Sequence, residues 1–192
     1  SFVAEGEQFV PFNDVGESTL DEDKESYQYD YEDIMRMLRD NSKLTDVAET
    51  ISMFWEMFIV DALLGNFDRH GMNWGFIKRD NAYALAPVFD NGSCLFPNMT
   101  DEDEMAAVMA SPEETAKRVY GFPLSQIKLR GKKSSYYEVI NSLAFPECNR
   151  ALEEVMGRIQ LERIEALVGE MPISECHRAF YRHMIQARYH GI

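Results

Sequence analysis

Long apolar runs are missing from this chain of 192 residues. Its most apolar stretch, Met53 to Leu64, is broken by Glu56 and Asp61, so no transmembrane span is expected. Cysteine is scarce. Cys94, Cys148 and Cys176 lie too far apart in sequence for a metal knuckle. An odd, sparse set argues against a disulfide scaffold and fits a reducing cytoplasmic location. Positive charge is also short, with 19 Lys and Arg against 33 Asp and Glu and a net charge of −14. That balance argues against direct nucleic-acid binding. It does not exclude phosphate chemistry, because a bound divalent cation supplies positive charge locally. No internal repeat, low-complexity linker or signal-peptide pattern occurs, and the first residue is Ser, which fits a piece of a longer protein.

Apolar residues, at 45%, are enough for one compact domain with a real core. The first 46 residues are strongly acidic, with 13 Asp and Glu against four Lys and Arg. Within them, Phe9 to Phe12 reads as a short extended piece and Asn13-Asp14-Val15-Gly16 as a turn. The run Asp21 to Glu25 reads as solvated charge, followed by alternating Tyr27, Tyr29 and Tyr31. Asp30 is a candidate cap for a helix from Tyr31 to Arg39.

The main helix is expected to start at Thr45. Val47, Ile51, Phe54, Phe58 and Ala62 recur at spacings of three and four, and Gly65 supplies the stop. Met53, Met57 and Leu64 widen the stripe, so the helix is expected to be buried on more than one side. From Trp74 to Phe89 the period changes to that of a hairpin, with a turn at Arg79-Asp80-Asn81. The stretch 91–110 has little periodicity, carries the acidic run Asp101 to Glu104, and is expected to be a mobile loop. Ser111-Pro112-Glu113-Glu114 is a helix start, and that helix ends at Gly121. Helical patterns then cover Ser135 to Leu143, Glu147 to Gly157, Leu161 to Val168 and Ser174 to Tyr189. The run Arg130-Gly131-Lys132-Lys133 reads as a solvated turn, with a docking patch for substrate or phosphate as the alternative. The fold class is mostly α with a small β-hairpin.

Between the main helix and the hairpin lies Gly65-Asn66-Phe67-Asp68-Arg69-His70-Gly71-Met72-Asn73-Trp74-Gly75. Phosphoryl transfer to a hydroxyl needs a carboxylate to orient the nucleophile and accept its proton, and oxygen ligands for Mg²⁺. Asp68, Asn73 and Asp90 supply that set. In a hairpin over 74–89, Asn73 precedes the first strand and Asp90 follows the second. Paired strands lie about 4.8 Å apart, so the open end brings these two together. On spacing alone, Asp68 and Asp90 serve equally well as turn or cap residues, His70 as a loop histidine bound to backbone, and Asn73 as a strand-entry residue.

The stretch Asp61 to Gly75 resembles the catalytic loop of HipA-like serine/threonine kinases, and Leu85-Ala86-Pro87-Val88-Phe89-Asp90-Asn91-Gly92-Ser93 resembles their metal-binding segment. Asp-Arg-His-x-x-Asn is also similar to the catalytic loop of phosphatidylinositol kinases. Weaker echoes are Gly131-Lys132-Lys133 with Tyr136-Tyr137, and the ending Phe180 to Tyr189.

The resemblance implies the C-terminal lobe of a protein-kinase-like α+β fold using ATP and Mg²⁺. Asp68 takes the place of the catalytic base, His70 a catalytic place near the reacting phosphate, and Asn73 and Asp90 the places of the metal ligands. Arg69 is assigned packing or pairing and no chemistry. A phosphate-covering glycine loop and a phosphate-binding Lys in a strand are absent before Asp68, so an N-terminal lobe is missing from this sequence. Residues 1–44 are then the segment joining that lobe, and 45–192 the C-lobe.

The implied partners are a protein substrate with a Ser or Thr hydroxyl, the missing lobe and, as for some HipA-like kinases, an antitoxin-like protein. No membrane partner is expected. Two other readings stay open: a lipid or small-molecule kinase lobe, and a non-catalytic helical interaction domain on a kinase-like scaffold.

Overall fold

The computed structural model describes residues 3–15 and 29–192. The acidic run 21–25, Gly16 and Tyr27 lie outside the described residues. The architecture is mostly helical with two small antiparallel sheets. The core helix, α3 (Val47–Leu64), is apolar nearly all round and buries Phe54, Trp55, Phe58 and Ile59. It starts two residues later than expected, at Val47 rather than Thr45. Asp46 is the cap and accepts from the Glu49 N–H at 2.9 Å, while the Thr45 hydroxyl donates to the Tyr83 carbonyl at 3.1 Å. Gly65 ends the helix at φ 68° in the left-handed region.

The expected hairpin is present but shorter than 74–89, as β2 (Gly75–Arg79) and β3 (Ala82–Leu85), with residues 86–89 between β3 and Asp90, and β1 (Glu7–Pro11) adds a third strand in the order β1-β2-β3. Phe12, expected in the extended piece, and Asn13, Asp14 and Val15, expected in a turn, form the single helical turn α1 (Phe12–Val15). Helix α2 (Tyr31–Asp40) buries Tyr31, Ile34, Met35 and Leu38. Its cap residue Asp30 turns its carboxylate elsewhere and accepts from the Gly131 N–H at 2.7 Å. The described parts of 1–44 therefore share the core of 45–192: Phe12 stacks on Trp74 at 4.2 Å and Tyr31 on Trp55 at 5.5 Å.

Two segments depart from expectation. The stretch 91–110 is not a loop throughout, because Glu102–Ala110 form helix α4. The acidic run is its first turn, where carboxylates meet the positive end of the helix dipole, and Asp101 caps it. Met105 and Val108 are buried in a cluster with Phe180 and Met184, so this part is anchored. Second, Leu124–Leu129 (β4) and Lys132–Ser135 (β5) form a hairpin that periodicity does not suggest. Arg130 and Gly131 are its turn, at φ 51° and 78°, the geometry of a tight hairpin.

The Ser111 start is as read. The Ser111 hydroxyl accepts from the Glu114 N–H, and α5 (Pro112–Ala116) runs into a π-helical turn ending at Gly121. Four helices complete the chain: α6 (Tyr136–Asn141), α7 (Pro146–Arg158), α8 (Leu161–Glu170) and α9 (Glu175–Gly191). Helix α3 packs most extensively on α7 and also against α9 and α2. Among the described residues, no helix is long and apolar enough to cross a membrane, and the three cysteines are free.

Candidate active site

The loop 66–74 leaves α3 at Gly65 and enters β2, and its shape is set by a buried ion pair. Arg69 and Asp61 are 3% and 2% exposed. The guanidinium forks onto the Asp61 carboxylate, with Nε to Oδ2 at 2.8 Å and Nη2 to Oδ1 at 2.9 Å. Burial disfavours the Arg69 cation, but hydrogen bonding to Asp61 and the Asp61 charge outweigh it and hold the guanidinium above its ordinary pKa. Asn66 also donates to Asp61, at 3.0 Å.

Arg69 has donors left, and these assemble the site. Nη1 donates to the Asn73 carbonyl at 2.7 Å and to the Phe89 carbonyl; Nη2 donates to Asn91 Oδ1 at 2.8 Å. One buried side chain thus joins the loop before β2 to the segment after β3. Asp90 sits between Phe89 and Asn91, the two residues that Arg69 holds.

Within the loop, the Asp68 N–H donates to Asn66 Oδ1 at 3.0 Å, and Asn73 Nδ2 donates to the Asp68 carbonyl at 2.8 Å. The backbone N–H groups of His70 and Asn73 donate to the carbonyls of Asp68 and His70. Two supports come from the second hairpin and α6. The Gln126 amide donates to the Phe67 carbonyl, and the buried Tyr136 hydroxyl donates to the Asn66 carbonyl at 2.7 Å. Burial raises the Tyr136 pKa and keeps it a donor.

Asp68, His70 and Asn73 therefore share one tight loop, and Arg69 ties the two neighbours of Asp90 to it, Phe89 by its carbonyl and Asn91 by its side chain. Asp68 is 43% exposed and Asp90 is exposed, while Asn73 is buried. Two carboxylates thus face solvent beside an anchored amide. His70 Nδ1 accepts from the Met72 N–H at 3.2 Å, which places the proton of a neutral ring on Nε2, 3.9 Å from Asp68 Oδ1. Asp90 adopts φ 53°, a left-handed conformation uncommon outside glycine, and Leu95 and Phe96 do the same at 56° and 57°. Such positions concentrate where structure over-determines a functional geometry.

The donor set suits Mg²⁺. It is all oxygen, and Asn73 commits its nitrogen to the Asp68 carbonyl, so that Oδ1 is the atom it could offer a cation. Among the described residues no group of three or more His, Cys, Asp and Glu could hold a metal. Mg²⁺ commonly takes only one or two carboxylates and completes its shell with phosphate and water.

Asp61, Asn66, Asn91, Gln126 and Tyr136 were not singled out as site residues from sequence, and Arg69 only as a packing or pairing residue. A further one is Arg188. It is 1% exposed and has no acidic partner among the described residues, its Nη1 lacks a hydrogen bond, and burial pulls its pKa down to about 10. Its guanidinium lies 4.8 Å from the Phe96 ring centroid and fills the space beside Gly65. A Cβ at Gly65 would stand 2.1 Å from Arg188 Nη1, so the helix stop and the buried cation both require glycine there.

A model of the HipA-like C-terminal domain family matches residues 9–166. The serine/threonine-protein kinase CtkA of Helicobacter pylori (strain J99 / ATCC 700824) is 32% identical over 191 residues, covering 97% of this chain and 58% of that protein. The crystal structure of a Helicobacter pylori proinflammatory kinase CtkA matches with a TM-score of 0.89 at 30% identity, over 100% of this chain and 70% of that one. The chain spans less than two thirds of the length of the curated relative it matches.

Proposed function

Because this chain belongs to the HipA-like C-terminal domain family, we propose that it supplies the catalytic C-terminal lobe of an ATP-dependent serine/threonine protein kinase. The supporting observation is the Arg69 hub, which holds the Asp68–Asn73 loop together with the Phe89 carbonyl and the Asn91 side chain on either side of Asp90. Mg²⁺ with ATP would supply the transferable phosphoryl group and neutralise the charge that develops on it.

The chain's own residues do the rest. Asp68, half-exposed on a loop clamped at Asn66 and Asn73, orients a Ser or Thr hydroxyl of a protein substrate and accepts its proton. Asn73 Oδ1 and the Asp90 carboxylate would hold the metal. His70, with its protonated Nε2 turned to the Asp68 side, donates toward the reacting phosphate.

In the same reading, a preceding lobe brings the phosphate-binding groups, and the protein works in the cytoplasm. An antitoxin-like protein is a further candidate partner. The test is transfer of the terminal phosphate of ATP to a protein hydroxyl by the full-length chain. Asp68→Ala should lower the rate by about 10²–10⁴-fold. Wild-type transfer by that variant would overturn the assignment.

A further inference from the structure

Beside the catalytic loop is a cavity of about 420 Å³, within the roughly 300–1,000 Å³ range of ligand pockets. Phe67, Phe96, Met99 and Phe122 form its apolar walls. Phe67 immediately precedes Asp68, so the cavity wall and the catalytic carboxylate are neighbours in the chain, with Cα atoms about 3.8 Å apart. Phe96 is a rigid wall. Its ring packs on Phe180 at 5.7 Å and on Phe122 at 6.0 Å, and it covers the Arg188 guanidinium. Phe122 and Leu124 are 47% and 41% exposed, extending apolar surface from the cavity along β4 toward Gln126, which holds the Phe67 carbonyl.

The cavity's charges select among occupants. Lys117 and Arg118 line it, but neither is free to recruit an anion. Lys117 Nζ is 2.7 Å from Glu114 and 3.2 Å from Glu113; Arg118 is 2.7 Å from Glu114 and 3.6 Å from Glu104. Three carboxylates against two cations disfavour a phosphate or an acidic side chain. An uncharged, apolar group packs on the aromatic and Met walls and leaves the Glu104, Lys117 and Arg118 pairs at the rest of the lining undisturbed.

We infer that this cavity is a substrate subsite, receiving an aromatic or large aliphatic side chain that lies within about three residues of the acceptor Ser or Thr, at the roughly 3.3 Å per residue of an extended peptide. The inference rests on the kinase reading and gives its protein substrate a chemical signature. Phe122, Met99 and Phe96 are specificity residues; none touches the reacting atoms.

The experiment uses the full-length chain, ATP, and Ser- and Thr-containing peptides with one flanking position varied at a time. One flanking position should favour Phe, Leu or Met over Ala by about 10–30-fold in kcat/KM, the size expected for burying one such side chain. Phe122→Ala should erase that preference while leaving the KM for ATP unchanged. Phe122→Glu should move the preference at the same position toward Lys or Arg, a switch that mere loss of packing does not produce. A full-length chain that phosphorylates peptides but ignores every flanking position overturns the subsite and leaves the kinase reading standing. So does a Phe122→Ala effect confined to the KM for ATP, which would make the cavity part of the nucleotide site. Absence of transfer to any hydroxyl overturns both.

Discussion

Replacing Arg69 by Met removes five hydrogen bonds at once: two to Asp61, two to the carbonyls of Asn73 and Phe89, and one to Asn91. The Asp61 carboxylate, 2% exposed, keeps only the Asn66 amide among its described partners. Removing one partner of a buried ion pair costs about 3–5 kcal/mol, because the other charge is left uncompensated. For a chain of this size that corresponds to a fall in Tm of about 6–20 °C. Arg188→Met is the matched control. Arg188 is as deeply buried but has no carboxylate partner among the described residues, and its cation is already destabilised by burial. Exchange for a well-packed apolar side chain should therefore be neutral or stabilising there. Urea unfolding of the three proteins reads the difference directly. An Arg69→Met loss below about 1 kcal/mol, or an Arg188→Met loss as large as that of Arg69→Met, would refute the assignment of the hub to the Asp61 pair.

Gly65→Ala should destabilise by more than the roughly 1–2 kcal/mol of an L-residue in the left-handed region, since its Cβ meets Arg188 as well; thermal unfolding of the Gly65→Ala and Gly65→Ala/Arg188→Met proteins separates the two costs. Burial pushes the Cys94 thiol up to about 11 and the Cys148 thiol up to about 12, so mass-spectrometric mapping at pH 8 should find the half-buried Cys176 alkylated well before either. Burial opposes ionisation of Glu147, but its own backbone N–H and Arg39 hold its pKa below the usual value. Its contribution to stability should be fully present above the ordinary Glu range near pH 4.3 and lost as pH falls through the lower folded value, and Arg39→Ala should flatten that part of the acid profile. The 192-residue chain by itself should transfer phosphate poorly, because charge stabilisation of the phosphates needs groups beyond this lobe; robust Mg²⁺-dependent transfer by it would contradict the division of labour.

Features written in a local pattern were legible in the sequence. The three-and-four spacing of α3, the stop at Gly65, the change of period at Trp74 and the Ser111 cap each depend on residues a few positions apart. The second hairpin was hidden because β4 reverses the usual alternation. Leu124 is exposed while Ser125 is buried, its hydroxyl paired with Tyr31 at 2.7 Å from 94 positions away. Helix α4 was hidden by its own first turn, since an acidic run looks like solvated loop until Met105 and Val108 have a partner in α9.

At the site, the candidate side chains were legible as a spacing of Asp68, Asn73 and Asp90, but the means of assembling them was not. Arg69 meets Asp61 eight positions back and Asn91 twenty-two positions on. Neither separation leaves a periodic trace. Arg188 is harder still, because a basic residue in a C-terminal helix ordinarily reads as solvated, and only its closeness to Gly65 and Phe96 shows that it is core.

Whether Asn73 and Asp90 hold one cation with the nucleotide is best measured by binding rather than turnover. Mn²⁺, as a paramagnetic stand-in for Mg²⁺, can be titrated with a non-hydrolysable ATP analogue into the full-length protein. The wild-type chain should bind the metal–nucleotide pair. Asn73→Ala and Asp90→Ala should each weaken it at least tenfold, about 1.4 kcal/mol, while Asp68→Ala, which removes the proton acceptor, should bind nearly as well as wild type. Equal affinity for Mn²⁺–nucleotide in the wild-type, Asn73→Ala and Asp90→Ala proteins would contradict the site.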